Sequence, residues 1–424
     1  MPQKRLNVFL DAIPQHLQAS VLEGRRERQG GKLPPPLVLK LVLAMAFRAD
    51  RGIPAVLREL VEILGEPKSW KGKAPEPSSI TAARDRLGWE PVRALFRAHA
   101  EEADEVEQHV WRGLRVAALD GVAFRTPDSP ENEAAFGRPG GTKPAGFPVM
   151  RGLLLVDVFS HQVRAATFGP YKGTGSGELS LARDHMLDQI PTQTLLVMDR
   201  GFCAYKWLES LSKRKIPFVV RLKTGKNTVK PKTRQVLVRG KDTLVVFPVP
   251  NSLRPRAGAE PLPLRKIKWI PPRVKGRRRK VVYLLTNLTD AELYPWREIA
   301  KLYQLRWEAE FTFRELKCSL TNRKVEFRSK RPARVLQEAY AMLTAYNAIR
   351  MRMAEAAAGD RPPIDLSFTD CLHAIRGAYR TGEPLSRLLP RLASYVLPKR
   401  GPRWYPRAVK SRARPFPTKP ARAA

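Results

Sequence analysis

Five short runs of β-branched and aliphatic residues, each bounded by turn residues, dominate the sequence between residues 113 and 223. The runs occupy 113–122, 152–160, 162–169, 194–201 and 217–223, and their length and composition are typical of strands. Helical patterns at 177–190 and 204–214 separate the third, fourth and fifth runs. Three strands followed by alternating helices and strands predict an α/β fold with a mixed sheet whose faces are covered.

Helical segments flank the predicted sheet. Before it, apolar residues recur at helical spacing in 37–47, 56–64 and 92–98, with Pro- and Gly-rich breaks between them. Short helices joined by tight turns fit either a helix-turn-helix or a small bundle that only packs. After the sheet, 328–356 predicts a second long amphipathic helix. We therefore expect an all-helical N-terminal domain (1–105), an α/β domain (106–355) and a helical C-terminal region (356–424).

A strongly basic segment interrupts the α/β region. Residues 226–280 hold seventeen Lys and Arg against two acids, with repeated prolines and short β-like pieces. This composition predicts a β-rich basic insertion at about 225–282. Its block RVKGRRRK, at 273–280, is either a solvated charge run or a phosphate contact, and the bias of the whole segment favours the phosphate contact.

The charge of the chain points to a polyanionic partner. The net charge is +37, and nucleic acid is the leading candidate because neutralised phosphates release their counterions. An anionic membrane surface is the alternative, but the longest apolar run, 37–47, is too short to span a bilayer and contains Lys40. Three cysteines without paired spacing argue against a disulfide framework and a zinc site. We expect a cytoplasmic protein whose basic tail, 399–424, is disordered or settles on DNA.

Four polar side chains share one stripe of the helix predicted for 300–320: Tyr303, Arg306, Glu310 and Lys317. At about 100° per residue they lie within roughly 60° of one another. Glu308 and Glu315 point roughly 120–140° away from this stripe. One acid among a phenol, a guanidinium and an ammonium suits a surface that holds a metal ion and binds phosphates.

Two aspartates follow buried apolar strands. Asp120 is expected to end the first strand and Asp199 the fourth, and an unpaired buried carboxylate is costly. Together with Glu310 they offer an all-oxygen site for Mg²⁺ or Mn²⁺, and two such ions promote in-line phosphoryl transfer. Helix capping or a salt bridge is the structural alternative for either aspartate. Five further residues compete as candidates: Asp128, Asp157, Glu178, Asp184 and His185, of which His185 is expected to be an ordinary half-buried histidine on a helix.

These residues carry a family resemblance. The stripe spells Y-x2-R-x3-E-x6-K, and DG at 120–121 and DRGF at 199–202 precede it in order. With TNL at 286–288 and the 328–350 stretch, the chain resembles bacterial transposases of the insertion sequence 4 type from about residue 5 to 355. One departure is DGVAF, where a hydroxyl residue commonly follows DG.

The resemblance implies a ribonuclease H-like catalytic domain with a DDE triad formed by Asp120, Asp199 and Glu310, which would hold two Mg²⁺ or Mn²⁺ ions. It also implies a β-strand insertion between the second aspartate and the glutamate. The longer gap agrees with this, because 111 positions (310 − 199) separate Asp199 from Glu310 and 79 (199 − 120) separate the aspartates. We expect four residues to bind DNA phosphates: Tyr303, Arg306, Lys317 and Arg200. Trp307 matches the aromatic that stacks on a flipped base in relatives, and a structural tryptophan packed against the sheet is the alternative.

The resulting prediction is a transposase that cuts an insertion sequence out of DNA and joins it to a target, with or without a hairpin intermediate. Its partners would be double-stranded transposon ends and target DNA, bound by the N-terminal domain, the insertion and the tail. We expect a homodimer in the synaptic complex, and a bacterial, nucleoid-associated location. Two alternatives stay open: a catalytically silent DNA-binding descendant of a transposase, and a ribonuclease H-like nuclease that joins nothing.

Overall fold

The computed structural model describes residues 7–25, 31–102, 110–140, 144–225, 228–253, 260–271, 281–357 and 361–398. The basic block at 273–280 and the tail at 399–424, for which DNA contacts were predicted, lie outside these ranges. No helix of the described residues is long and apolar enough to cross a membrane.

A single nine-stranded sheet organises the described chain, in the order β3-β2-β1-β4-β5-β9-β8-β7-β6. The strands are β1 (Arg115–Arg125), β2 (Val149–Asp157), β3 (Val163–Pro170), β4 (Thr194–Met198), β5 (Phe218–Arg221), β6 (Lys232–Val238), β7 (Asp242–Phe247), β8 (Leu262–Trp269) and β9 (Val282–Thr286). The first three strands are antiparallel neighbours, whereas β1, β4 and β5 run parallel. This arrangement confirms the predicted ribonuclease H-like mixed sheet.

The basic insertion extends this sheet. Strands β6, β7 and β8 pair antiparallel in sequence, and β9 joins β8 to β5. The buried pair Asp242–Arg265 fastens β7 to β8, and Arg265 also donates to three backbone carbonyls after β9. A buried arginine stays charged when its donors are satisfied in this way. The segment therefore continues the sheet of β1 to β5 through β9.

Thirteen α-helices lie in the described residues: α1 (Gln15–Ser20), α2 (Pro35–Phe47), α3 (Ile53–Leu64), α4 (Pro77–Leu87), α5 (Glu90–Glu102), α6 (Pro130–Phe136), α7 (Glu178–Leu181), α8 (Tyr205–Lys213), α9 (Trp296–Gln304), α10 (Glu308–Arg314), α11 (Pro332–Ala357), α12 (Phe368–Thr381) and α13 (Leu385–Ala393). The helix predicted for 300–320 is not uniform. A 3₁₀ turn, Leu305–Trp307, separates α9 from α10, and a π segment, Glu315–Leu320, follows. Such departures from α geometry are common at functional sites.

The two faces of the sheet bury different cores. Residues Val116, Ala118 and Phe124 of β1 join a core with the N-terminal helices and with α9 to α13. The alternate residues Ala117 and Leu119 pack with α8 on the other face. Alternation of side chains along a strand therefore decides which helices each residue of β1 meets. The long helix α11 is central to the first core and contacts α2, α5 and α13.

Candidate active site

The parallel register places three charged residues in one row across the sheet. Leu119 of β1 pairs with Met198 of β4, which pairs with Val220 of β5. One position further along each strand stand Asp120, Asp199 and Arg221. Because β1, β4 and β5 run parallel in this register, these side chains are neighbours although they are far apart in sequence. Their alternation places all three on the sheet face that α9 and α10 cover.

The predicted strand end at Asp120 is wrong. Strand β1 continues to Arg125, because its antiparallel pairing with β2 extends to Val149. What ends beside Asp120 is the pairing with β4, whose last residue is Met198. The carboxylate of Asp120 therefore stands where one neighbouring strand stops while the other continues, which opens room beside it.

Burial dominates the electrostatics of Asp120. Desolvation, helped by the neighbouring carboxylates of Glu178 and Asp199, raises its pKa to about 6, against the opposing effects of the Gly121 amide and of Arg306. Crowding of like charges of this kind is relieved by a bound cation, and it is a common property of functional sites.

Asp199 also caps a local turn. Its side chain accepts a 2.6 Å hydrogen bond from the Gly201 amide, at the start of the 3₁₀ turn Arg200–Phe202. The capping role considered from sequence is therefore present. It occupies one carboxylate oxygen, Oδ1, and the aspartate remains partly exposed at the edge of the sheet. Arg200 beside it is exposed to solvent.

Arg306 links the helix to the sheet. One Nη atom lies 3.3 Å from Asp120 Oδ2, and the other lies 3.9 Å from Glu310 Oε1. The guanidinium stands 4.5 Å from the ring centre of Trp307, and the residue is buried. The predicted stripe therefore does face the aspartates, with Arg306 between the first aspartate and the glutamate.

The other two members of the stripe are largely enclosed. Tyr303 is buried; desolvation raises the pKa of its phenol, with Arg306, Arg221 and Asp199 close enough to influence it. Lys317 donates to the Ala123 carbonyl at 2.8 Å. In this arrangement both residues hold the helix to the sheet, and only Lys317 keeps a substantial exposed fraction, 31% of its side chain.

The carboxylates of the two aspartates and of Glu310 suit a divalent ion, but they do not form a closed coordination sphere in this structure. Asp120, Asp199 and Glu310 offer the carboxylate oxygens that Mg²⁺ and Mn²⁺ prefer. In the described part of the chain no three acidic, histidine or cysteine side chains are grouped closely enough to coordinate one ion. The reason is visible in the contacts, because Arg306 is inserted beside Asp120 and Asp199 is turned toward Gly201.

Of the competing candidates, only Glu178 reaches the site. Its carboxylate lies so close to Gly121 that any Cβ at that position would collide with it, and Arg151 donates to it at 3.0 Å. The other four serve local contacts or the surface: Asp128 pairs with Arg138, Asp157 caps the β2–β3 turn, Asp184 pairs with Arg183, and His185 is exposed. The half-buried position expected for His185 is therefore wrong.

A buried ionic network fixes the reverse face of the helix that carries Glu310. The carboxylate of Glu315 binds Arg350 and accepts a 2.6 Å hydrogen bond from the Tyr346 hydroxyl, both on α11. His161, in the β2–β3 turn, contacts Glu308 at 2.8 Å and Arg350 at 2.8 Å. These two glutamates are the acids that helical geometry placed away from the stripe, and they anchor the helix that carries Glu310.

This network makes stability depend on pH. Burial opposes ionisation of Glu315, but Arg350 and the hydrogen bonds from His161 and Tyr346 outweigh it and hold its pKa at about 2. Because the folded pKa lies below the ordinary value of 4.5, the stabilisation is complete above pH 4.5 and is lost as the pH falls toward 2. As the pH falls from 4.5 toward 2, we expect protonation of Glu315 to lower the unfolding free energy of wild type by about 3 kcal/mol.

Urea unfolding of wild type and Glu315→Gln at a series of pH values checks this expectation. The variant should be less stable at neutral pH and should lose less stability on acidification. An identical dependence on pH in both proteins would contradict the account of Glu315.

Comparison with known proteins identifies the family. The family model described as "Transposase DDE domain" matches residues 111–348, and "Insertion element 4 transposase N-terminal" matches residues 3–97. Transposase InsG for insertion sequence element IS4, from Escherichia coli (strain K12), is 31% identical over 410 residues, which cover 92% of this chain and 88% of that protein. Putative transposase InsZ from the same strain is 34% identical over 141 residues, 32% of this chain and 46% of that protein.

Among solved structures, the cryo-EM structure of a piggyBac transposase synaptic complex with hairpin DNA has a TM-score of 0.43 and 13% identity. The match covers 96% of this chain and 86% of that one, and at this score it supports no conclusion about the site. The two family models and the extent of the match to InsG confirm the resemblance predicted from the motifs. The chain belongs to the insertion sequence 4 family of DDE transposases, enzymes that cleave and join DNA.

Proposed function

We propose that Asp120, Asp199 and Glu310 are the catalytic triad with which this transposase cleaves and joins DNA at the ends of its insertion sequence. The observation that carries the proposal is the shared register of Asp120 and Asp199, with Arg306 connecting the first of them to Glu310. Asp120 and Asp199 stand at neighbouring positions on one face of the sheet, and the helix that carries Glu310 covers that face, within a chain of net charge +37.

The three carboxylates would hold two Mg²⁺ or Mn²⁺ ions. When bound, such ions activate a water or a 3′-hydroxyl and stabilise the leaving oxygen of an in-line displacement. The protein's own residues supply charge balance and position. Arg306 neutralises Asp120 in the arrangement described here, and release from that carboxylate would free its forked donors for a phosphate.

The cations around the triad would position the DNA backbone. Exposed Arg200 and partly exposed Lys317 are the members of the predicted set that solvent reaches, and Arg221 adds a charge at the end of β5. Tyr303 is buried rather than exposed to solvent, and its phenol is hydrogen-bonded to Arg306. Phosphate contacts give position and salt-dependent affinity but no sequence readout.

The wider assembly follows from the same proposal. Three regions would bind the DNA outside the triad: residues 1–105, the insertion at about 225–282 and the C-terminal region 356–424. The separate family matches at 3–97 and 111–348 support a domain boundary near residue 105. Two element ends must meet for joining, so a homodimer is expected in the synaptic complex, acting on DNA of the bacterial nucleoid.

Strand transfer tests this function. Duplexes carrying the inverted repeats that bracket the gene, with pre-cut 3′ ends, are incubated with supercoiled plasmid, protein and Mg²⁺. Joined products support the proposal. Cleavage without joining indicates a nuclease, and bound but intact DNA indicates a silent DNA-binding protein; either result would refute the proposed reaction.

Trp307 is expected to act on a displaced base. Its ring is 52% exposed and carries the Arg306 guanidinium on one side, so a base can stack on it. Stacking is worth about 1–3 kcal/mol, comparable with the few kcal/mol that extrusion of a base costs. Trp307→Ala should therefore slow hairpin formation more than the first nick, as measured on end-labelled duplexes. Trp307→Phe keeps a ring and should retain most of the wild-type rate of hairpin formation. Equal slowing of both steps in Trp307→Ala would instead indicate a packing role.

A further inference from the structure

Two aromatic rings stand out on the protein surface. Trp307 is 52% exposed and Phe311 is 42% exposed, and no other aromatic side chain among the described residues is classed with them as exposed. Folding normally removes such rings from water, because each buries a large apolar area. Phe311 lies in α10, which carries Glu310, and Trp307 ends the 3₁₀ turn directly before α10, so their exposure is confined to one place beside the proposed triad.

Helical geometry puts the two rings side by side. Residues four apart lie about 40° from each other around a helix, and their Cβ atoms are roughly 5–6 Å apart. Each ring also carries a guanidinium. Arg306 lies 4.5 Å from the ring centre of Trp307, and Arg314 lies 4.9 Å from that of Phe311. The result is a stepped surface of two rings and two planar cations, which we call the aromatic step.

The aromatic step suits unpaired bases. Aromatic and guanidinium planes next to a positive backbone channel are the features with which proteins hold single-stranded nucleic acid. A second copy of this chain is a poor occupant, because each copy carries a net charge of +37 and the step itself is cationic. The position of Glu310 between the two rings in sequence places any such base next to the reacting phosphodiester.

We propose that Phe311, with Arg314, is a second stacking site that works with Trp307, so that the enzyme holds two unpaired nucleotides of the DNA end. The inference rests on the proposed function of the triad and adds to it the form of the substrate. An end unpaired over two nucleotides should bind better than one unpaired over a single nucleotide.

A binding experiment isolates this stacking from charge. The probe is a fluorescein-labelled duplex whose end carries two unpaired thymines, and its partner probe replaces both thymines by abasic sites. Both probes keep the same phosphates, so the ratio of their affinities at fixed salt reports base stacking alone. We expect wild type to prefer the thymine fork, and Phe311→Leu to lower that preference by about 5- to 100-fold while binding the abasic fork as before.

Matched variants sharpen the outcome. Phe311→Tyr keeps a ring and should retain the preference, and Leu293→Ala, at an exposed apolar position in the turn before α9, should change nothing. An unchanged preference in Phe311→Leu would overturn the inference. A second result would also overturn it: in sedimentation of the DNA-free proteins, wild type is dimeric and Phe311→Leu is not. The aromatic step would then be a protein interface. Failure of wild type to bind any fork would instead refute the DNA-processing function itself.

Discussion

Asp199→Asn is expected to lower cleavage of element-end DNA by at least about 10³-fold, because loss of one carboxylate from a shared metal site removes several kcal/mol of transition-state stabilisation. The substitution preserves the shape of the side chain and the oxygen that accepts from the Gly201 amide, so the local turn should persist. DNA binding should be retained, since it depends on cations spread over the chain. Single-turnover cleavage in Mg²⁺ and gel-shift titration of the same DNA measure the two properties.

A surface aspartate provides the control for this comparison. Asp184→Asn removes an exposed acid that pairs only with its exposed neighbour Arg183, so cleavage should stay near the wild-type rate. Wild-type cleavage in Asp199→Asn would remove this residue from the triad. Loss of DNA binding together with cleavage would mean that Asp199 acts through structure.

Arg350→Met is expected to cost about 3–5 kcal/mol of unfolding free energy, the usual effect of leaving one partner of a buried ion pair uncompensated. Arg350 is fully buried among Glu315, Tyr346 and His161, and its removal strands the Glu315 carboxylate. The helix that presents Glu310 loses its anchor to α11 at the same time. Urea unfolding at neutral pH gives the stability, and the cleavage rate well below the unfolding transition reports the position of the helix.

The double variant Glu315→Leu/Arg350→Met separates charge from packing. Removing both charges should recover much of the stability lost by the single change, because no buried charge is left unpaired. The exposed pair Arg183–Asp184 supplies a reference, and Arg183→Met should change stability by less than about 0.5 kcal/mol. A single variant as stable as wild type would show that the network is not structural.

Sequence patterns predicted most of what positions this site. The five strand-like runs correspond to β1 to β5. Their alternation and β-branched composition indicate a strand whether the sheet buries one face or both. The stripe of Tyr303, Arg306, Glu310 and Lys317 faces the sheet as helical periodicity required, even though 3₁₀ and π turns interrupt the helix. The direction of Glu308 and Glu315, away from this stripe, was predicted for the same reason.

Other features depend on register and packing, which a single sequence does not specify. Arg221 follows a third parallel strand and so joins the row of Asp120 and Asp199, a signal visible only once the strand order is known. Glu178 reaches Gly121 because α7 packs against β2 and β3, and its spacing in sequence carried no such information. Arg306 lies beside Asp120 because the fold brings these two opposite charges together, and their separation in sequence does not indicate the contact.

Binding of Mn²⁺ tests the central claim, that three acids distant in sequence form one metal site. Electron paramagnetic resonance measures free Mn²⁺ in titrations of wild type, Asp120→Asn, Asp199→Asn and Glu310→Gln, with Asp184→Asn as the control. The account predicts that wild type and the control remove Mn²⁺ from solution with the same affinity and that each triad variant binds it at least about tenfold more weakly. Equal binding by all five proteins would contradict it.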